Sequence, residues 1–322
     1  MAAARCDAIR AEVVELTQLG VSDLDPLLNE EISVWKNRFD WDFRASADLL
    51  RRFLQIRSLF GYALRFGPEV IGYSYYVCEG RKGLIGDFYV RNGHQSAANE
   101  VTLLGATVQG LMLTHGVQRI ESQLMLLQNK SAKLPFDQNL ARHDRFFMDV
   151  ECGVIPGLAP RASSYSPTFS RWAERFHEDV AHLVTAAYRG HVDSEINDQY
   201  RSIPGARHFL TNIIRYPGCG NFSSAASTLA VDQKSGRVTG ACLASMVSAT
   251  SGHITQLCVL PALRGSGLGY QLLRQSLKHL AELGCKTMSL TVTSTNVDAI
   301  RLYKAVGFRS QNTFPALVWE GF

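Results

Sequence analysis

The sequence predicts an α/β chain in which one fold occurs twice. The order strand, strand, strand, helix, strand reads from Leu59–Phe66, Val70–Val77, Gly83–Val90, about Ala97–His115 and Arg119–Leu126. It returns at Phe222–Val231, Val238–Val247, His253–Leu260, Tyr270–Leu283 and Lys286–Thr293. Val70-Ile71-Gly72 and Val238-Thr239-Gly240 stand at the same offset as Gly116 and Gly284, each glycine preceding the last strand of its set. A length of 322 residues suits two domains, and a hydrophobic content of 46% supplies two cores.

Residues 1 to about 60 read as helical, from Val13, Val14, Leu16 and Leu19 and then Leu49, Leu50, Phe53 and Leu54. Trp35, Phe39 and Trp41 are expected to pack in a core, as large aromatics generally do. The prolines and small residues of Gly153–Pro167 break every period and read as a linker. The expected domains are therefore 1–152 and 168–322, joined by 153–167. In the second, Trp172–Tyr188 is an amphipathic helix, Gly190–Ser202 is polar, and a further helix runs through His208–Ile214.

Composition narrows the function. The net charge of +4, from 33 basic and 29 acidic residues without a basic block, does not favour a nucleic-acid partner. No apolar run is long enough for a membrane span, and the N-terminal stretch has no signal-peptide core, so a cytoplasmic protein is expected. Seven scattered cysteines without a C-x-x-C pair read as reduced thiols, and no metal is expected.

The chemistry concentrates where His253–Leu260 meets the next helix. Pro261 stops the strand, and Gly265, Gly267 and Gly269 let backbone N–H groups face one concavity beside a helix N-terminus, an anion site. It is not a dinucleotide fingerprint, because Tyr270 stands where the third glycine belongs, and no Gly-Lys-Ser/Thr closes a Walker loop. Val259-x-Pro261 followed by Arg264-x-x-Gly267-x-Gly269 resembles the acetyl-coenzyme A pyrophosphate loop of the GNAT superfamily of N-acetyltransferases. Asn296-x-x-Ala299-x-x-Leu302-Tyr303, after the strand Lys286–Thr293, resembles that family's next motif in the right order.

The resemblance implies two tandem GNAT-like domains, as in mycothiol synthase-type acetyltransferases, each a mixed, mostly antiparallel sheet flanked by helices: an α/β (α+β) fold. It implies acetyl-coenzyme A as cosubstrate, held by Leu257, Val259, Arg264, Gly265, Ser266, Gly267, Leu268, Gly269, Asn296 and Tyr303. Leu257 N–H is the implied oxyanion donor, Val259 the backbone partner of pantetheine, and Tyr303 the proton donor to sulfur as a neutral amine attacks the thioester. In the first copy Arg91-Asn92-Gly93-His94-Gln95-Ser96 replaces the loop and the asparagine–tyrosine motif is missing, so that copy is expected to be degenerate.

The acceptor pocket of the family lies between the helices that precede the sheet, which points to His191, Asp193, Glu195, Asn197, Asp198 and Tyr200 as amine-binding candidates. Asp193 and Asn197 are equally suited to capping. Protein-acetylating relatives carry a glutamate where this chain has His253, the candidate base. A weak base favours less basic amines, since a lysine amine is only ~0.4% neutral at pH 8 and an α-amino group about half neutral. A small-amine acetyltransferase, a protein acetyltransferase and a non-catalytic acyl-coenzyme A sensor remain open at this point.

Overall fold

The computed structural model describes residues 11–161, 163–216 and 218–322. In order, the elements are β1 (Glu12–Glu15), α1 (Val21–Phe39), α2 (Arg44–Gln55), β2 (Gly61–Phe66), β3 (Glu69–Glu79), β4 (Lys82–Val90), α3 (Ala97–Leu113), β5 (Arg119–Gln123) and β6 (Leu140–Glu151). Then come β7 (Thr168–Arg171), α4 (His177–Ala187), α5 (Asp193–Ile196), α6 (Ile203–Arg215), β8 (Asn221–Phe222), β9 (Thr228–Val231), β10 (Val238–Ser248) and β11 (Ser251–Val259). The last are α7 (Leu268–Glu282), β12 (Thr287–Thr293), α8 (Val297–Val306) and β13 (Arg309–Glu320). The chain is mixed α/β, with mostly antiparallel sheets flanked by helices; β4 with β5 and β11 with β12 are parallel.

Two compact units result. The first takes the chain through Lys36, Phe43–Arg142 and Phe314–Phe322; the second takes Asn37–Asp42 and His143–Thr313. These boundaries differ from the sequence-based ones at 152 and 168, and strand pairing is the reason. Arg145–Glu151 of β6 pair with β12, while Ala316–Glu320 of β13 pair with β5. The stretch 153–167 is not a free linker. Arg274 Nε donates to Leu158 O (2.6 Å), Tyr270 OH to Ala159 O (2.7 Å) and Ser163 Oγ to Ser266 O (2.7 Å), so it is strapped along α7.

In the first unit, strands run β1-β2-β3-β4-β5-β13. Helix α3, whose N-cap Ser96 accepts Asn99 N–H, lays Leu103, Leu104, Val108 and Leu111 on that sheet beside the fully buried Trp319. Val13 and Val14, read as helical from sequence, instead lie in β1 against β2. Trp35, Phe39 and Trp41 are buried as expected.

In the second unit the order is β6-β12-β11-β10-β9-β7. Helix α7 sits close on β10 and β11 because the residues beneath it are small. A Cβ on Gly240 would meet Leu272 Cδ1 at 2.7 Å, and one on Gly252 would meet Leu280 Cδ1 at 2.7 Å. Helices α4 and α6 cover the opposite face through Val180, Val184, Leu210, Ala241 and Leu243. The segment Asn37–Asp42 adds to this unit: Phe39 stacks edge-on to Phe147, Trp41 lies 5.0 Å from the His253 ring, and Asp42 N–H donates to Val247 O.

Candidate active site

The sheet of the second unit opens in its middle. β11 pairs with β12 only from Ser251 opposite Thr287 to Ile254 opposite Leu290. Beyond that point β11 continues against β10 and β12 continues against β6, so the two strands part. A bulge at Thr255, skipped between the Leu243–Gln256 and Ala244–Ile254 pairs, starts the divergence. Leu260 N–H donates to Thr239 O (2.9 Å). Antiparallel alternation then turns the N–H groups of Cys258 and Gln256 toward β10, and turns those of Leu257 and Val259 into the gap.

From the gap the chain passes through a single 3-10 turn, Pro261–Leu263, into the glycine loop. Gly265 has φ 77° and Gly267, the N-cap of α7, has φ 87°, values that a side chain would strain. Ser266 Oγ donates to Leu263 O and accepts from Leu268 N–H, which fixes the loop from inside. The N–H groups of Gly265, Gly267, Gly269 and Tyr270 have no acceptor among the described residues. Four unpaired donors at the positive end of a 15-residue helix form an anion cradle. Among the expected cofactor residues, Ser266 and Leu268 thus build the loop. Arg264 spends Nη2 on Ala187 O at the end of α4 (2.5 Å).

Asn296 caps α8 by accepting Ala299 N–H (3.3 Å), and its amide nitrogen lies 3.3 Å from His191 Nε2. Asp193 N–H donates to His191 Nδ1 (3.1 Å), so that nitrogen is the acceptor and Nε2 the ring's N–H donor. Two donors therefore face each other, an arrangement that welcomes an acceptor oxygen. Tyr303, on α8, is buried and makes no hydrogen bond through its hydroxyl among the described residues. Burial first, and then the Cys242 thiol and Asp193, hold its proton well above the ordinary phenol range, while Arg145 acts in the opposite sense.

Next to the gap, Tyr188 and Tyr200 stack at 4.5 Å and share Gln256, which donates to Tyr188 OH and accepts from Tyr200 OH (3.3 Å). Asp193 accepts Thr293 Oγ1 (2.5 Å) and lies 3.6 Å from Arg145 Nη1. Asn197 caps the following turn, its Oδ1 accepting Gln199 N–H (3.0 Å). Glu195 is exposed.

His253 departs from the expected base. It lies in the closed part of the sheet, with Nδ1 2.9 Å from Ser289 Oγ and the ring against Trp41. Burial, then the Arg145 charge, lower its pKa to about 4, which leaves it neutral and feebly basic. Sequence reasoning missed Arg145, Tyr188, Gln256 and Thr293. Arg145 lies in LARHDRFFMDVE, whose charged first half hides the strand period.

Residues 193–308 match the family model described as Acetyltransferase (GNAT) family. The matched segment lies within the second unit. A GCN5-related N-acetyltransferase from Sphaerobacter thermophilus has the same fold, with TM-score 0.66 at 15% identity over 96% of this chain and 95% of that one. A tandem GNAT protein from the clavulanic acid biosynthesis pathway gives TM-score 0.60 at 13% identity, over 97% and 98%. The spermine/spermidine N(1)-acetyltransferase of Bacillus subtilis is 45% identical over 47 residues, 14% of this chain. The match spans 31% of that curated relative's length. Among the described residues no helix is long and apolar enough to cross a membrane, and no group of three His, Cys, Asp or Glu could hold a metal.

The first unit has a similar parting of strands but answers it internally. β4 pairs with β5 only from Lys82 to Ile85, with a bulge at Gly86. Arg91 N–H donates to Ile71 O, so alternation turns Phe88 and Val90 into the gap. There Asp87 Oδ1 accepts Phe88 N–H (2.8 Å) and Gln95 Nε2 donates to Val90 O (3.0 Å). Glu30 accepts from Asn92 N–H, Tyr89 OH and Arg91 Nε, putting a carboxylate beside the residues that replace the glycine loop.

Proposed function

We propose that the chain is an acetyl-coenzyme A-dependent N-acetyltransferase that acts on a primary amine of a small molecule, with the second unit as its catalytic unit. The observation that carries this is the open sheet whose gap-facing Leu257 and Val259 backbone leads into the four-donor cradle at Gly265–Tyr270. Bound there, acetyl-coenzyme A supplies an acetyl group already activated as a thioester. The cradle N–H groups grip its pyrophosphate, and Val259 hydrogen-bonds the pantetheine arm. His191 and Asn296 offer their facing donors to a carbonyl of that arm. Leu257 N–H is the preorganised donor to the thioester oxygen. Tyr303 keeps its proton throughout the physiological range and donates a hydrogen bond to the departing sulfur.

Asp193, carrying a negative charge beside the Tyr188–Tyr200 pair, orients the amine. His253, held against Ser289 and Trp41 in the closed part of the sheet, takes no proton; the one the amine loses as the C–N bond forms reaches, through the Tyr303 hydroxyl, the thiolate freed as the C–S bond breaks. The curated relatives that acetylate spermine or spermidine support a small-molecule amine over a protein substrate. Occupied backbone positions in the first unit support one acetyl-coenzyme A per chain. Cys78, Cys152, Cys219, Cys242, Cys258 and Cys285 are free thiols, in keeping with a cytoplasmic setting.

Calorimetric titration of acetyl-coenzyme A into the full chain and into Gly267→Glu tests this reading, with thiol release on adding amines as the second readout. One site per chain, lost in the variant, together with amine-dependent thiol release, is expected. Binding that survives Gly267→Glu would move the cofactor to the first unit, and binding without thiol release for any amine would leave a sensor.

A further inference from the structure

Beside the gap, Arg145 and Asp193 form a charge pair that the protein itself leaves half satisfied. Arg145 lies opposite Thr293 in the β6–β12 ladder, with its side chain only 11% exposed. Nη2 donates to Thr291 Oγ1 (3.2 Å), Nε is sealed from solvent without any partner, and Nη1 stands 3.6 Å from Asp193 Oδ1, beyond hydrogen-bond reach. Asp193 has its Oδ1 on Thr293, while Oδ2 is 3.7 Å from a histidine nitrogen whose lone pair is already used. A nearly buried cation thus keeps spare donor capacity at Nη1, and its anion keeps a spare acceptor oxygen.

Buried ions are costly unless their remaining hydrogen bonds are made. A plain amine, or a polyamine, would engage Asp193 and leave Arg145 as it is. A second positive charge would then face the guanidinium. Among the other groups around this pair, Tyr188, Tyr200, Tyr303 and Gln256 carry no charge, and His191 brings no anion to neutralise an additional cation. What answers both partners at once is a ligand with an amino group and a carboxylate on neighbouring atoms.

We propose, resting on the N-acetyltransferase reading above, that the acceptor is an α-amino acid or a small molecule ending in one, its carboxylate held by Arg145 and its amino group set by Asp193. Arg145 is then the residue that determines specificity, and the chain differs in acceptor class from the polyamine-acetylating relatives with which it shares 47 residues of similarity.

The test uses the full chain saturated with coenzyme A. The twenty common α-amino acids and spermidine are screened by thermal shift, and the best amino acid is compared by calorimetry with the amine lacking its carboxylate. The amino acid is expected to bind roughly ten- to a hundred-fold more tightly, the size of a charged hydrogen-bonded pair. Arg145→Gln should erase that ratio, and Arg145→Lys, which keeps the charge without the planar fork, should retain part of it, both with coenzyme A affinity within about twofold of the parent. The Lys variant decides the matter if the Gln variant does not fold. No amino acid binding, spermidine or the bare amine binding as tightly, or a ratio that persists in Arg145→Gln would each overturn the proposal. A carboxylate preference that depends on Arg145 without any acetyl transfer would overturn only the catalytic reading.

Discussion

Tyr303 and His253 show how burial sorts two candidate proton carriers. For Tyr303 the apolar surroundings and the nearby carboxylate disfavour phenolate, so the hydroxyl is a donor at every working pH. Tyr303→Phe should lower kcat by roughly ten- to a hundred-fold while leaving the calorimetric affinity for acetyl-coenzyme A within about twofold. An unchanged kcat would take the hydroxyl out of the reaction. His253 has a folded-state pKa of about 4, below its ordinary value of 6.5. Its contribution to stability is full above pH 6.5 and drains away as pH falls through 4, a loss on the order of 3 kcal/mol. Urea unfolding at pH 7 and pH 4.5 should show a large part of this fall in the parent and much less of it in His253→Gln. The glycines, Asn296 and Tyr303 were legible in the sequence because their spacing is short and local. Arg145 was not, since it reaches Asp193 only through the β6–β12 ladder, a pairing between segments far apart in the chain.

At the level of elements, the cradle depends on where α7 lies, and α7 lies where Gly240 and Gly252 admit it. Gly240→Ala would press a methyl group into Leu272, one turn inside the N-terminus of α7, and should cost about 1–3 kcal/mol in urea unfolding. It should also weaken acetyl-coenzyme A binding, because lifting the helix displaces its N-terminus; equal affinity would mean the loop holds its shape without the sheet. Most strands and helices of both copies could be read from periodicity, to within a few residues. β6 and β13 could not, for separate reasons. β6 opens with charged residues on both faces, and β13 contains Pro315, which argues against a strand although its own carbonyl still accepts Leu124 N–H. Since these two strands decide which residues belong to which unit, missing them displaced both domain boundaries.

Across the molecule two buried groups, one in each unit, contribute to stability with opposite sign as pH falls. In the first, burial raises the Asp87 carboxyl to about 6, and Tyr73 and Glu31 face it from β3 and α1. A carboxyl raised above its ordinary 3.8 stabilises most at low pH, and that contribution is lost as pH rises through 6. Between pH 6.5 and 4, acidification therefore weakens the second unit through His253 and strengthens the first through Asp87. Peptide-resolved hydrogen exchange at pH 7 and pH 5, corrected for intrinsic rates, should show lower opening energies for β11 and higher ones for β4. Parallel shifts in both would contradict it. The division of β13 bears on how the protein is made. A ribosome delivers β1 through β5 before the second unit, yet Trp319, whose indole belongs in their core, follows that unit in the chain. The first unit therefore waits with the β13 side of β5 unpaired while the second unit is synthesised, an interval in which an open strand edge is exposed to wrong pairing.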